Sequence, residues 1–481
     1  LIRGVNWLGD AIMTLPAFDY VILGAGPAGM AAALTAREHG VKVLVLDEQS
    51  QPGGQIYRNI ETLKTTRPQE FQKLGQEYQS ASQLVENFRQ CGVEHWFERS
   101  IWQISKDLSI YHVNPEGEHD SSVPSLVQAK HLLIAVGAME RPMPLPGWTL
   151  PGVMACTAAD VLYKTSGLVP EGKVVLAGSG PLMLLIACRM LDAGVRISAI
   201  LDTGNKTSTL ESLPLLPKAL RTPSYLFKGA SMIWKLRKAG IKMVSGVQTV
   251  EALGTQKLEQ VRFRKGSMTE TLGAGLLLLH HGVVPNVQIT RLLGCEHQWY
   301  EQQRYWEPKV DEWGNTSVKG VSIAGDCGRV AGSKVAELSG HLAAFDMLYQ
   351  MKVITQKDRD QKSKHLFEQR NSHLAVRPFL DKLFQPSKNW LVPQDDSTLV
   401  CRCEEVTVRQ IRDAVKKGAL SPDRVKSLIR CGMGPCQGRV CGLNVTEIIA
   451  DESGLPPETL GYFKIRPPLR PITLGLLAQL H

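Results

Sequence analysis

The chain has no long apolar run. None of its 481 residues forms part of a stretch near the roughly 20 apolar positions needed to cross a bilayer. The candidate Leu276–Leu279 stops at His280 and His281 and is strand-sized. A signal peptide is not expected either, because Asn6 and Asp10 interrupt any apolar core near the start. Ten cysteines in a chain of this length are too few and too unevenly placed for a secreted disulfide scaffold. Nucleic-acid recognition motifs are missing, and the formal charge of +9 comes from basic residues spread along the chain. That charge fits anionic cofactors or an acidic surface better than nucleic acid. No nucleophile–base pair and no clamp for a substrate carboxylate stands out. With 43% hydrophobic and 21% charged residues, a soluble globular protein of roughly two to four domains is expected.

What is present centres on Phe18 to Gln55. Apolar positions running into Gly24-Ala25-Gly26-Pro27-Ala28-Gly29 predict a buried parallel strand, a tight turn and a helix. Gly24 permits the turn, Gly26 lets the backbone approach a pyrophosphate, and Gly29 lets the helix lie close to the strand. A second strand, Val41 to Leu46, ends at Asp47, 23 positions after Gly24, where a carboxylate can accept ribose hydroxyl protons.

Asp47-Glu48-Gln49 followed by Pro52-Gly53-Gly54-Gln55 resembles the two-dinucleotide flavoprotein superfamily. The resemblance implies an α/β fold of two Rossmann-like, glutathione-reductase-like domains, with the Pro-Gly-Gly turn closing over an FAD pyrophosphate. It brings in Gly137, at the end of the short apolar strand from Lys130. It also brings in Gly325 and Asp326, after a strand from Val318 to Ala324; in that superfamily this pair binds the ribityl chain, and the helix dipole of Ser333 to Met351 faces the flavin. The implied FAD residues are Gly24, Gly26, Pro27, Ala28, Gly29, Asp47, Glu48, Gly53, Gly54, Gln55, Gly137, Gly325 and Asp326.

Lys173 to Met183 predicts a second strand, turn and helix, with Gly178, Gly180 and Pro181 in the turn. Met183 stands where the third glycine of the fingerprint belongs, so tight helix packing is in doubt there. Val195 to Leu201 delivers Asp202, 24 positions after Gly178. An acid at that position selects a ribose without a 2′-phosphate, hence NAD or another adenine nucleotide such as ATP over NADP. Gly275 to Asn286 is read as the return to the first domain, and His280 and His281 are assigned no role. The expected division is 1–17, an extension; 18–150 with 275–352, the FAD domain; 151–274, the second nucleotide domain; 353–396, a helix and linker; 397–450, a metal domain; and 451–481, a tail. Residues 56–125 are expected to cap the first domain. The opening GVNWLGDAIMTLPA resembles the start of bacterial lipopolysaccharide heptosyltransferases, but nothing after Phe18 continues that pattern.

Half of the cysteines crowd near the end: Cys401, Cys403, Cys431, Cys436 and Cys441. A zinc site prefers longer gaps than the single residue between Cys401 and Cys403. A redox disulfide between Cys436 and Cys441 matches the spacing in disulfide reductases, but there it lies beside the FAD turn, which here carries no cysteine. An iron–sulfur cluster needs four thiolates on two close loops, with glycines that let amides reach the sulfides. It accounts for the segment best. CRCEEV with GMGPCQGRVC is similar to the bacterioferritin-associated-ferredoxin-like [2Fe-2S] domain, a small helical domain, and that match implies Cys401, Cys403, Cys436 and Cys441 as ligands. Cys431 is left over, either a spectator near the cluster or, by its proximity, a residue that swaps with one of the ligands. Residues 401–441 hold nine basic and four acidic side chains, a surplus that should ease reduction of a negatively charged cluster and can dock an acidic partner.

From Asp19 to the end, including the tail Lys464 to Pro471, the chain resembles the larger flavin and iron–sulfur subunits of multi-subunit amino-acid dehydrogenases. That family includes the opine oxidase A-subunit, the hydrogen cyanide synthase B-subunit, and the alpha subunits of D-hydroxyproline and dye-linked L-proline dehydrogenases. The resemblance implies a hetero-oligomer. A glycine-oxidase-like catalytic flavoprotein beta subunit would oxidise the amine, beside a small third subunit. This chain would relay electrons through flavin and [2Fe-2S] to a quinone or a carrier protein, with FMN shared with the partner as a further candidate cofactor. The implied location is cytoplasmic, with a peripheral position at the inner membrane as the variant. The alternative is a self-contained NAD(P)H-dependent FAD/[2Fe-2S] reductase of a ferredoxin-type carrier.

Overall fold

The structure is a computed structural model that describes residues 15–116 and 123–478. The heptosyltransferase-like residues 1–14 lie outside the described residues. Ala17–Leu23 (β1), Val43–Leu46 (β2), Glu94–Trp96 (β3), Ser100–Ile104 (β4), Ser109–Val113 (β5) and Leu126–Ile134 (β6) form one sheet in the order β3-β2-β1-β6-β5-β4. β1 lies parallel between β2 and β6, with Tyr20 opposite both Val43 and His131. Tyr20 to Leu23 are fully buried, as a central parallel strand covered on both faces requires. The stretch expected to cap the first domain does not stand apart. Four short helices fill 60–90, and β3, β4 and β5 extend the sheet itself.

The chain leaves through Ala138–Glu140 (β7) and enters a second, wholly parallel sheet. Its strands are Val153–Ala155 (β8), Lys173–Gly178 (β9), Arg196–Asp202 (β10) and Lys242–Ser245 (β11). Thr249–Leu253 (β12), Gln260–Lys265 (β13) and Met268–Gly273 (β14) make an antiparallel sheet of their own. Leu276–His280 (β15) corrects the reading of 275–286 as part of the first domain. It pairs with β9 and β8, Leu277 lying opposite Val175 and Val153. An apolar run buried on both faces suits the inside of the second sheet, and periodicity alone does not say which sheet will take it. The return is made by Val283–Pro285 (β16), which pairs antiparallel with β7. After the hairpin of His297–Tyr300 (β17) and Tyr305–Pro308 (β18), Val321–Ile323 (β19) rejoins the first sheet beside β6.

Helix Ser333–Gln350 packs on helix Pro27–Glu38, and helices Gln356–Leu374 and Arg377–Leu383 lead to the C-terminal unit. There two helices are found at Val408–Lys416 and Pro422–Ile429. Thr407 and Gln410 form a capping box on the first, and Ser421 caps the second. A third helix, Gly442–Ser453, runs through residue 450, and Leu460 and Phe463 then fold back into the same apolar core. Among the described residues no helix is long and apolar enough to cross a membrane.

His112 on β5 is 1% exposed, packs against Trp96, and among the described residues has no hydrogen-bond partner on either ring nitrogen. Burial first, then the Arg99 charge, lowers its pKa from 6.5 to about 3. The unfolded chain therefore binds the extra proton, and stability falls as pH drops from 6.5 towards 3. His112→Phe should flatten this fall, sparing about 3 kcal/mol at pH 4 relative to the parent. Urea unfolding of both chains across this range checks it, and parallel curves would refute it.

Candidate functional site

The first site lies where β1, β2, β6 and β19 end. Gly24 has a φ of +103° and donates to the Leu46 carbonyl (2.7 Å). A Cβ on Gly29 would stand 1.8 Å from the Gly24 carbonyl oxygen, so only glycine lets helix Pro27–Glu38 begin there. That helix has no side-chain cap, which leaves its first amides open to an anion. A Cβ on Gly26 would meet nothing closer than 3.8 Å, the Gly54 Cα. The Pro-Gly-Gly turn lies directly across, with the Gly53 amide donating to the Ala25 carbonyl (2.8 Å). Gln55 accepts from Arg58 through its side chain (3.1 Å) and from buried Lys164 through its carbonyl (3.4 Å).

Asp47 and Glu48 divide their work. Both Asp47 oxygens are taken by backbone amides, of Ala25 (2.5 Å) and Gln49 (2.7 Å). Burial raises the Asp47 pKa against those two bonds, so this carboxylate braces the glycine turn. Glu48 points outward and pairs with Arg470 from the tail (2.6 Å). Gly137 follows β6 with φ +65°. Gly325 lies against Ala28 and Ala336, and a Cβ there would be 3.1 Å from the Ala28 Cβ. Asp326 accepts from the Ala331 (2.9 Å) and Gly332 (3.1 Å) amides, turning the chain into helix Ser333–Gln350. Burial raises its pKa as well.

The second turn is built alike. Gly178 (φ +148°) and Gly180 (φ +130°) precede Pro181, and a Cβ on Gly178 would lie 1.7 Å from the His280 carbonyl oxygen. Met183 is buried among apolar neighbours. Asp202 accepts from the Gly204 amide (2.9 Å), and burial raises its pKa. Two residues without an assigned role enter this site. The His280 ring is buried, bonds Glu140 through Nδ1, and turns Nε2 towards Gly180. Glu140 in turn accepts from the Thr157 amide (2.9 Å). These partners are 140 positions apart and carry no local signal.

The third site gathers all five C-terminal cysteines. Cys401, Cys431 and Cys441 are buried, with their sulfurs within 4.8 Å of one another. The Cys431 and Cys441 thiols, then the Gly432 and Glu404 amides, donate to the Cys401 sulfur and hold its pKa down to about 2. The same bonds push Cys431 and Cys441 up. Cys403, exposed, touches Cys436, and burial is the main cause of its raised pKa. Cys431, left over from the implied ligand set, stands inside the group. Its spacing was the available signal, since four residues separate it from Cys436, as four separate Cys436 from Cys441. Gly434 lets the loops meet, for a Cβ there would be 2.1 Å from the Cys403 Cβ. Gly432 and Gly438 sit on the Phe463 ring, another residue that no motif marked. Open amides over a glycine cradle fit a dinucleotide, and two facing groups of thiols fit an iron–sulfur cluster.

Residues 18–340 match the family model of pyridine nucleotide-disulphide oxidoreductases, and residues 395–480 that of the sarcosine oxidase A3 domain. The opine oxidase A-subunit of Rhizobium meliloti is 39% identical over 465 residues, covering 96% of this chain and 88% of that protein. The chain belongs to the pyridine nucleotide-disulphide oxidoreductases, in the family of the opine oxidase A-subunits. It is an FAD-dependent oxidoreductase. Hydrogen cyanide synthase subunit HcnB of Pseudomonas aeruginosa is 30% identical over 477 residues, covering 96% of this chain and 98% of that one. In fold, L-proline dehydrogenase from P. horikoshii superposes with a TM-score of 0.67 at 18% identity, over 96% of this chain and 79% of that one.

Gly26 and Gly29 separate ligand binding from folding. Gly26→Ala, with an ordinary φ of −77° and open space around the new methyl, should fold normally but lose most of its FAD retention. Gly29→Ala should destabilise the fold by at least ~3 kcal/mol, because the clash is with backbone. Flavin released on denaturation and thermal melting of the apo chains test this pair. Equal flavin retention by Gly26→Ala and the parent would refute the cradle.

Proposed function

We propose that this chain is the electron-relay subunit of a heteromeric flavin-dependent amino-acid or opine dehydrogenase. A partner flavoprotein subunit oxidises the amine, and this chain carries the electrons onward. When bound, FAD supplies two-electron chemistry and a [2Fe-2S] cluster one-electron steps. The chain's own part is to hold the two close together. Gly24, Gly26 and Gly29 with Gly53 and Gly54 form the pyrophosphate cradle. Glu48 is the carboxylate left to accept ribose hydroxyls, since Asp47 is engaged by backbone. Cys401, Cys403, Cys436 and Cys441 hold the cluster.

One observation carries the relay: the thiol loop and the nucleotide rim share a single stretch of tail. Arg439 donates to the Cys436 carbonyl (3.2 Å) and to the Leu469 carbonyl (2.9 Å), and the next residue, Arg470, pairs with Glu48 (2.6 Å). Leu469 itself is buried against the first sheet. In support stand the names of the opine oxidase and hydrogen cyanide synthase relatives, both subunits of larger enzymes.

In the assembled complex, Cys436→Ser and Cys401→Ser should each remove or distort the dithionite-reduced [2Fe-2S] paramagnetic signal while FAD stays bound. A single turnover of amine should proceed at the parent rate in stopped flow, whereas steady-state turnover with an external acceptor should fall at least about tenfold. Rapid reduction of the isolated chain by NADH, with onward transfer to a ferredoxin, would select the reductase alternative. The second turn should bind NAD or ATP in calorimetric titration, since Asp202 disfavours a 2′-phosphate; tighter binding of NADP would refute that.

A further inference from the structure

Five thiols surround a space in which a [2Fe-2S] cluster needs four, and the choice among them deepens the relay reading, on which it rests. Cys403 and Cys436 form an outer pair, Cys403 at the surface. Cys401, Cys431 and Cys441 form an inner trio, each at most 1% exposed. Within the trio Cys401 is singled out, because two backbone amides converge on its sulfur, as they do on cluster ligands. Cys431 and Cys441 are equivalent towards it. Each has its sulfur within 4.8 Å of that of Cys401 and of the other, and each lies on the same spacing from Cys436 along the chain, one on either side.

We propose that Cys431 and Cys441 are alternative ligands of the buried iron. Cys401 completes that iron's pair, and Cys403 and Cys436 hold the exposed iron. The exchange replaces one iron–sulfur bond by another. The incoming thiol releases its proton, the departing thiolate takes one up, no electron moves, and the net charge of the centre is unchanged. The sulfurs already lie within 4.8 Å of one another, so rotation about side-chain bonds suffices and the glycine-lined loop need not refold.

The full chain, reconstituted anaerobically with ferrous iron and sulfide, provides the test through iron counts and paramagnetic resonance after dithionite. Cys431→Ala and Cys441→Ala should each retain about two irons per chain, with g values shifted in different ways. Cys431→Ala/Cys441→Ala should lose the cluster, as should Cys401→Ala, Cys403→Ala and Cys436→Ala. Apo-protein melting curves and the near-isosteric Ser versions separate lost ligation from lost folding. Loss of the cluster in Cys441→Ala alone, or in Cys431→Ala alone, overturns the assignment of alternates and leaves the relay standing. A wild-type chain that takes up no iron overturns both.

Discussion

Close backbone approach at the first glycine turn is the constraint on which the rest of the molecule depends. Helix Pro27–Glu38 is pressed between two backbones. A Cβ on Gly29 would lie 1.8 Å from the Gly24 carbonyl oxygen, and one on Gly340 would lie 2.1 Å from that of Ala28. The facing side chains are small, with Ala28, Ala32, Ala36, Ala336, Ala343 and Ala344 buried in one cluster. Helix Ser333–Gln350 therefore lies directly on the first helix, and Thr35 bonds His341 across the contact (2.7 Å). Both helices begin beside the nucleotide cradle, so packing that looks purely structural brings two positive helix ends to one place. A methyl group on Gly29 or Gly340 would meet backbone and push this packing apart.

The C-terminal unit is fastened to this frame by specific polar contacts as well as by apolar packing of Leu443 with Val284, Tyr305 and Trp306. Glu447, in helix Gly442–Ser453, receives both Arg304 Nε and Nη2 at 2.7 Å. A fork of this kind fixes orientation as well as distance. Trp148, in the crossover between the nucleotide units, donates to the Leu399 carbonyl (2.8 Å) and lies under the Arg402 guanidinium, one residue from Cys401. Inside the unit, Phe463 is the floor of the thiol loop, filling the space that Gly432 and Gly438 leave. The tail thus supports the cysteines from below before it reaches Leu469 and Arg470 at the first sheet.

What could be read from the sequence was what is local. Phe18 to Gln55 carries its strand, turn, helix and second strand within one short window, and the glycines' tasks follow from the geometry of a single turn, whereas Asp47, expected at the ribose, is taken up by the Ala25 and Gln49 amides. The starts of the two helices of the C-terminal unit are likewise marked by local residues, Thr407 with Gln410 and Ser421. The rest needed three dimensions. β15 has the same apolar pattern whichever sheet receives it. Cys431 shares its spacing to Cys436 with Cys441, so no count of intervening residues could rank them. Glu140 and His280 meet only because β7 and β15 end side by side, and Arg470 meets Glu48 only because the tail returns across the first sheet.

The second unit contributes to the first site whatever fills its own turn. Helix Cys156–Ser166 ends against the first unit, where Arg67 donates to the carbonyls of Tyr163 (3.2 Å), Lys164 (2.8 Å) and Thr165 (3.0 Å). A cation there complements the negative end of the helix. The same helix carries Lys164, 1% exposed, whose ammonium pairs with Asp160 (2.5 Å) and donates to the Ile56 carbonyl (3.1 Å). Burial lowers its pKa to about 8. Asp160 is shared with Arg189 (2.9 Å), so removing Asp160 leaves two buried cations without their counterion, which costs far more than a pair contributes. Ile56 directly follows Gly53-Gly54-Gln55. The Pro52-Gly53-Gly54-Gln55 loop is therefore held from behind by an ammonium of the second unit, and the distance between the two glycine turns is fixed by buried charges as well as by apolar packing.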